Sequence, residues 1–198
     1  MRACRWTWLR RLSYGLVEAL ARTLWPLKVS GLEHVPGEGP LIVASNHVSL
    51  CDGPMLSVAL GDARGLRFLA KAELFKVPGL GCYLSAVGNI PVDRSRGDVA
   101  AMRAAVTMVR SGGCLGMFPE GTRGKGQGAG TAKPGVGFLA RETGAPVVPA
   151  RVVNTDRFPM PHRVEVRFGP PMVFQGDPED KKACRDFAEE LMERIRKL

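Results

Sequence analysis

The sequence predicts an α/β domain, a mostly parallel or mixed sheet flanked by helices, preceded by an amphipathic helix at its N-terminus. Three observations lead there. The 198 residues suit one domain with a substantial core and are too few for two comfortable ones. Short apolar runs of strand length alternate with stretches of helical periodicity, the pattern of a sheet covered on both faces. Two polar clusters, NHVSLCD (46–52) and PEGTRG (119–124), each follow directly on such a run. Open α/β sheets bind ligands at that position, beyond the carboxyl ends of their strands.

Residues 1–30 stand apart from the rest, 31–198. They carry Arg2, Arg5, Arg10, Arg11, Arg22 and Lys28 against the single acid Glu18, more than half of the chain's net charge of +9. Leu9, Leu12, Leu16, Leu20 and Leu24 recur at three- and four-residue steps, with Trp6, Trp8 and Trp25 near the ends of the stretch. Such a helix can lie in a lipid headgroup layer, where each Lys or Arg near an anionic surface contributes ~1 kcal/mol. It can equally pack its leucines on the domain's own core. Arg10, Arg11, Glu18 and Arg22 interrupt every apolar run short of the ~20 residues a bilayer span needs. No small-residue cleavage site follows an uninterrupted apolar stretch, so the segment is expected to stay in the mature protein.

After a turn marked by Pro36, Gly37, Gly39 and Pro40, LIVAS (41–45) reads as a buried strand. NHVSLCD follows, and a helix begins near Asp52, with Pro54 in its first turn, and continues through MLSVAL. LRFLA (66–70) is a strand. Residues 98–113 form a helix closed by glycine, with Met102, Ala105, Val106 and Val109 on one face. CLGMF (114–118) is a buried strand, and the glycine-rich loop after it is too flexible to be core. PVVPARVV (146–153) and RVEVRF (163–168) are strands, the second alternating in a way that suits a sheet edge. Asp177 and Pro178 read as cap and first residue of a last helix that buries Ala183, Phe187, Leu191 and Ile195.

The surplus of basic residues favours an anionic partner. Nucleic acid fits poorly, because the charge is concentrated in a leucine-rich segment and no stripe of interleaved aromatic and basic residues occurs. Five scattered cysteines with no zinc spacing, and only His34, His47 and His162 beside them, suit a reducing compartment and argue against a metal.

Within NHVSLCD three pairings compete. Cys51 with His47 would be a thiol nucleophile and its base, although a cysteine here is more often a small buried hydrophobe. Ser49 with His47 lacks a G-x-S-x-G setting. His47 oriented by Asp52 would be a general base that needs no nucleophile from the protein, because the substrate's own hydroxyl would serve. FPEGTRG (118–124) favours the third. Arg123 can clamp a phosphate, the amides of Gly121 and Thr122 can form an anion nest, and Glu120 can accept from a substrate hydroxyl. For Glu120 or Arg123 taken singly, a surface salt bridge is the commoner fate.

NHVSLCD, GNIPVDR (88–94), FPEGTRG and APVVPA (145–150), in that order and spacing, resemble the four sequence blocks of the glycerolipid acyltransferases, especially the lysophosphatidate acyltransferases. The resemblance covers residues 30–155 and implies a glycerol-3-phosphate acyltransferase-like fold. It implies transfer of a fatty acyl group from acyl-CoA or acyl-ACP to the free hydroxyl of lysophosphatidate, forming phosphatidate in phospholipid biosynthesis. His47 and Asp52 would be catalytic, and Glu120, Gly121, Thr122, Arg123, Arg94 and Lys71 would bind substrate, with no permanently bound cofactor. Peripheral or monotopic association with the cytoplasmic face of the membrane follows from the same likeness. Acylation of another lysophospholipid or a glycolipid stays open, as does thioester hydrolysis through Cys51. The chain departs from the family at Pro91, where a bulky residue is usual, and at Gly124, where serine is frequent.

Overall fold

The computed structural model describes residues 23–61, 64–93, 98–121, 132–177 and 180–198, together with Gly15, Glu18 and Ala19. Seven strands form one sheet: β1 (Leu27–Ser30), β2 (Leu41–Ser45), β3 (Arg67–Lys71), β4 (Ile90–Val92), β5 (Cys114–Met117), β6 (Val147–Val153) and β7 (Val164–Phe168). Their order is β1-β7-β6-β2-β5-β3-β4, with every neighbouring pair parallel except β6 and β7. The predicted mixed α/β sheet is therefore what the chain forms. Beyond the N-terminal segment, the helices whose bounds are described are α1 (Asp52–Leu60), α2 (Leu80–Ala86), α3 (Val99–Arg110), α4 (Gly135–Thr143) and α5 (Lys181–Lys197).

LIVAS forms a central strand because both its faces are covered. Ile42 and Ala44 pack into a core with residues of α3, α4 and α5, whereas Leu41 and Val43 pack into a second core with residues of α1 and β7. Alternate side chains of a strand point to opposite faces, so a continuous apolar run is the signature of this position. The stripes expected on the helices are met in the main: Ala105 and Val109 of α3, and Phe187, Leu191 and Ile195 of α5, are buried, whereas Met102, Val106 and Ala183 are half-buried.

Four expectations are corrected. β7 is not an edge, because β1 pairs with it from Leu27↔Val164 to Ser30↔Arg167. The alternation of RVEVRF reports one buried face and one wetter face, which a strand inside a sheet also has. The sheet thus begins within residues 1–30; most of the predicted N-terminal helix lies outside the described residues. The edge at the far side is β4, which the sequence reading left out, where the exposed Pro91 lies opposite Ala70. An edge strand tolerates a residue without an N–H. Lastly, α3 stops at Arg110 rather than Gly113, and α5 starts at Lys181 with Asp180, not Asp177, as cap; the Asp180 side chain accepts from the Lys182 amide at 2.7 Å. No described helix is long and apolar enough to cross a membrane.

Candidate active site

The site begins where β2 leaves the sheet. Asn46 donates from Nδ2 to the Val152 carbonyl at 2.9 Å and accepts from the Val152 amide at 2.8 Å. Its side-chain amide thus stands in for a peptide unit of the β2–β6 ladder. The main chain is freed to turn, and His47 is the first residue beyond.

Asp52, the first residue of α1, is fully buried. Its Oδ2 lies 2.8 Å from His47 Nδ1 and accepts from the amides of Val48 at 2.7 Å and Ser49 at 2.8 Å. The Thr155 hydroxyl, brought from beyond β6, donates to Oδ1. The two amides and the hydroxyl donate, and Nδ1 completes the set in the tautomer that carries its proton there. With Nδ1–H given to Asp52, neutral His47 carries its lone pair on Nε2. The turn that the sequence reading placed between His47 and Asp52 is what lets residues five apart meet.

The imidazole is held on its face as well. Phe118, just after β5, stacks on it with ring centroids 4.0 Å apart and planes 14° from parallel. Phe68 of β3 stacks on Phe118 in turn at 5.7 Å. The three rings follow the order of their strands, β2, β5, β3. Phe68 rests flat on Gly116 of β5, where an added Cβ would come within 2.3 Å of the ring.

Glu120 closes the other side. It is 4% exposed, and its Oε1 accepts from the His47 amide at 3.3 Å, while Oε2 has no hydrogen-bond partner among the described residues. Gly121 follows at φ 72°, a left-handed conformation that favours glycine. Lys133 covers its open face, so that a Cβ there would sit 2.8 Å from Nζ. The Lys133 amide also donates to the Pro119 carbonyl at 2.9 Å. The structure therefore brings together His47, Asp52, Glu120 and Gly121. Thr122, Arg123 and Arg94 lie outside the described residues. Lys71, at the end of β3, lines the adjoining cavity and pairs with Glu73 at 3.3 Å. Both partners of that pair are more than half exposed, so water or an incoming anion can replace it readily.

Sequence reasoning missed Thr155, Phe118 as a stacking partner, and Lys133. For the lysine only one signal existed, a cation directly before Pro134 and the start of α4. Glycine density in the intervening loop says nothing of where the loop closes.

A cavity of about 510 Å³ opens from His47. Its walls are mainly apolar, among them Leu66, Phe68, Tyr83, Leu84 and Val87, with Lys71 the charged residue beside them. The volume is that of a site for an extended small ligand.

The rival nucleophiles do not join this geometry. Burial pushes the Cys51 thiol up to about 11, with the Ser49 hydrogen bond opposing and the Asp52 charge adding to the rise. Cys51 packs in the core between α1 and the sheet. Ser49 Oγ accepts from the Cys51 amide at 3.4 Å, and no hydrogen bond links it to His47. Among the described residues no three His, Cys, Asp or Glu side chains gather as a metal site would require.

The family model described as Acyltransferase matches residues 26–153. The chain is 32% identical over 132 residues to the chloroplastic 1-acyl-sn-glycerol-3-phosphate acyltransferase BAT2 of Brassica napus, covering 65% of this chain and 38% of that protein. It is 32% identical over 155 residues to the 1-acyl-sn-glycerol-3-phosphate acyltransferase of Borreliella burgdorferi, covering 75% and 61%. This chain thus spans less than two thirds of the length of either relative. The crystal structure of the 1-acyl-sn-glycerophosphate (LPA) acyltransferase PlsC from Thermotoga maritima superposes with a TM-score of 0.72 at 25% identity, covering 94% of this chain and 81% of that one.

Proposed function

The chain belongs to the acyltransferase family, and from that premise we propose that it moves a fatty acyl group from acyl-CoA or acyl-ACP to the free hydroxyl of lysophosphatidate, forming phosphatidate. One observation carries the reading: His47 is fixed 2.8 Å from a fully buried Asp52, at the mouth of an apolar cavity. A base so oriented, with no nucleophile bonded to it among the described residues, suits a substrate that supplies its own hydroxyl.

His47 Nε2 takes the hydroxyl proton as the oxygen attacks the thioester carbonyl. The imidazolium is stabilised by Asp52. Collapse of the tetrahedral intermediate breaks the C–S bond, and the proton passes from Nε2 to the departing sulfur. The products are an oxygen ester and a free thiol, with His47 neutral again. The acyl chain lies in the cavity beyond His47, whose walls bury its methylenes at ~0.8 kcal/mol each.

The acceptor's phosphate is held by Arg123, with Arg94 and Lys71 as further cations and the Gly121 and Thr122 amides as a nest. Lys133, lying over Gly121, adds charge from the far end of the loop. Glu120 Oε2 accepts a hydrogen bond from the acceptor's glycerol. The enzyme works peripherally on the cytoplasmic face of the membrane, held in part by residues 1–30.

The test is mass spectrometry of the products formed from a panel of lysolipids with acyl-CoA and acyl-ACP both offered. Phosphatidate is expected as the main product, and His47→Ala should lower its formation roughly 10²- to 10⁴-fold. Undiminished turnover in that variant would sink the mechanism. A different acylated lipid as main product would keep the chemistry and change the acceptor.

A further inference from the structure

The loop that leaves β6 does two things at once. At its start, Thr155 bonds Asp52. Beyond it the sequence runs Arg157-Phe158-Pro159-Met160-Pro161-His162-Arg163, and its apolar residues face outward. Phe158 is 40% exposed and Met160 67% exposed. Leu50, in the turn whose amides bond the other oxygen of Asp52, is 66% exposed. The two apolar projections are tethered to the two oxygens of a single carboxylate.

Exposed apolar side chains on a loop are common, but several backbone groups of this one are also hydrogen-bonded within the protein. The amides of Arg157, Phe158 and Met160 donate to the carbonyls of Asn154, Thr155 and Arg157, and Pro159 and Pro161 have no N–H. Asn154 Nδ2 donates to the Arg163 carbonyl at 3.1 Å, and the His162 ring spans the carbonyls of Met160 and Asn154. Trp25 Nε1 donates to the Met160 carbonyl at 3.0 Å, and the indole packs on Phe158 with ring centroids 5.1 Å apart. Each backbone group paired in this way lowers the cost of placing the loop in a medium of low dielectric. Arg157 and Arg163, both exposed, flank the apolar tip and suit an anionic surface.

We propose that the loop Asp156–Arg163, with Trp25 packed on it, is a second membrane contact, distinct from the basic segment that precedes Trp25. It seats Phe158 and Met160 in the headgroup layer of an anionic bilayer and brings the mouth of the site down to the plane where a lipid acceptor lies. Trp25 joins this loop to β1 and is the interfacial aromatic between them. The proposal rests on the lipid-acceptor reading above.

The test uses the full chain and vesicles of phosphatidylcholine with and without phosphatidylglycerol. Phe158→Asp/Met160→Asp should weaken partition into the anionic vesicles roughly tenfold and raise the apparent KM for acceptor in vesicles. Turnover of a soluble short-chain acceptor should match wild type, with the melting temperature lowered by only a few degrees for the lost Trp25–Phe158 contact. A bimane dye on Met160→Cys, with Cys4 and Cys82 changed to serine, should shift its emission to the blue on adding anionic vesicles. An unmoved emission, or unchanged partition in the double variant, would overturn the proposal. Self-association that depends on Met160, without vesicle binding, would assign the patch to a second copy and overturn it equally. Vesicle binding is read without substrate, so absence of acyl transfer from every variant would count against the proposed reaction alone.

Discussion

Two buried carboxylates flank His47, and their surroundings are opposite. Asp52 has both oxygens engaged by the protein: one ring nitrogen and two amides on Oδ2, a hydroxyl on Oδ1. Glu120 gives one oxygen to the His47 amide, and the other has no partner among the described residues, although it is nearly as deeply buried. A buried polar atom without a partner costs on the order of 1–3 kcal/mol, so a folded protein retains one where something else will meet it. The turn after β2 is finished before substrate arrives. On the proposed function, the turn after β5 is finished by substrate.

Asp52→Asn is the severest test of the finished turn. An asparagine can keep its oxygen toward His47, Val48 and Ser49 and turn its NH2 toward Thr155, whose hydroxyl can accept instead. The geometry survives while the charge goes, so turnover should fall roughly 10²- to 10⁴-fold with the melting temperature nearly unchanged. A loss below about tenfold would mean that the charge does little for the imidazolium.

Glu120→Gln probes the unfinished turn. It preserves an acceptor for the His47 amide and replaces the free oxygen by a donor, so the KM for the lipid acceptor should rise roughly 10- to 100-fold, the size of one lost charged hydrogen bond. The KM for the thioester should hold; a rise there would place Glu120 on the other substrate. Thr155→Val returns to the finished side by creating beside Asp52 the vacancy that Glu120 already has. It should cost about 1–3 kcal/mol in chemical denaturation, with a turnover loss of only a few-fold.

Cys51→Ala should change turnover by less than about twofold, as befits a packing residue. With its thiol at about 11, the protonated form dominates throughout the neutral range. Alkylation of Cys51 should therefore be slow at neutral pH and accelerate as the pH rises towards that value. Rapid alkylation at pH 7 would reopen the hydrolase alternative.

The same contrast separates what could be read in the sequence from what could not. LIVAS and CLGMF announced their strands because burial on both faces forces continuous apolar runs. His47 and Asp52 were legible because five residues and one turn join them. Thr155 was not, since 103 positions separate it from Asp52 and a threonine after a strand has no pattern of its own. β1 and β4 were missed because LKVS and IPV are too short to establish a period. β7 was placed at an edge because alternation reveals which face is wet, never which neighbour is absent.

Gly116 carries no functional group and touches no substrate. Yet Phe68 lies on it, Phe118 on Phe68, and His47 on Phe118. A saturation screen for activity would therefore flag this position inside a strand as intolerant, even to alanine. A reader who scored positions by chemistry alone would misfile it as structural, when what it sets, through two phenyl rings, is the orientation of the His47 imidazole.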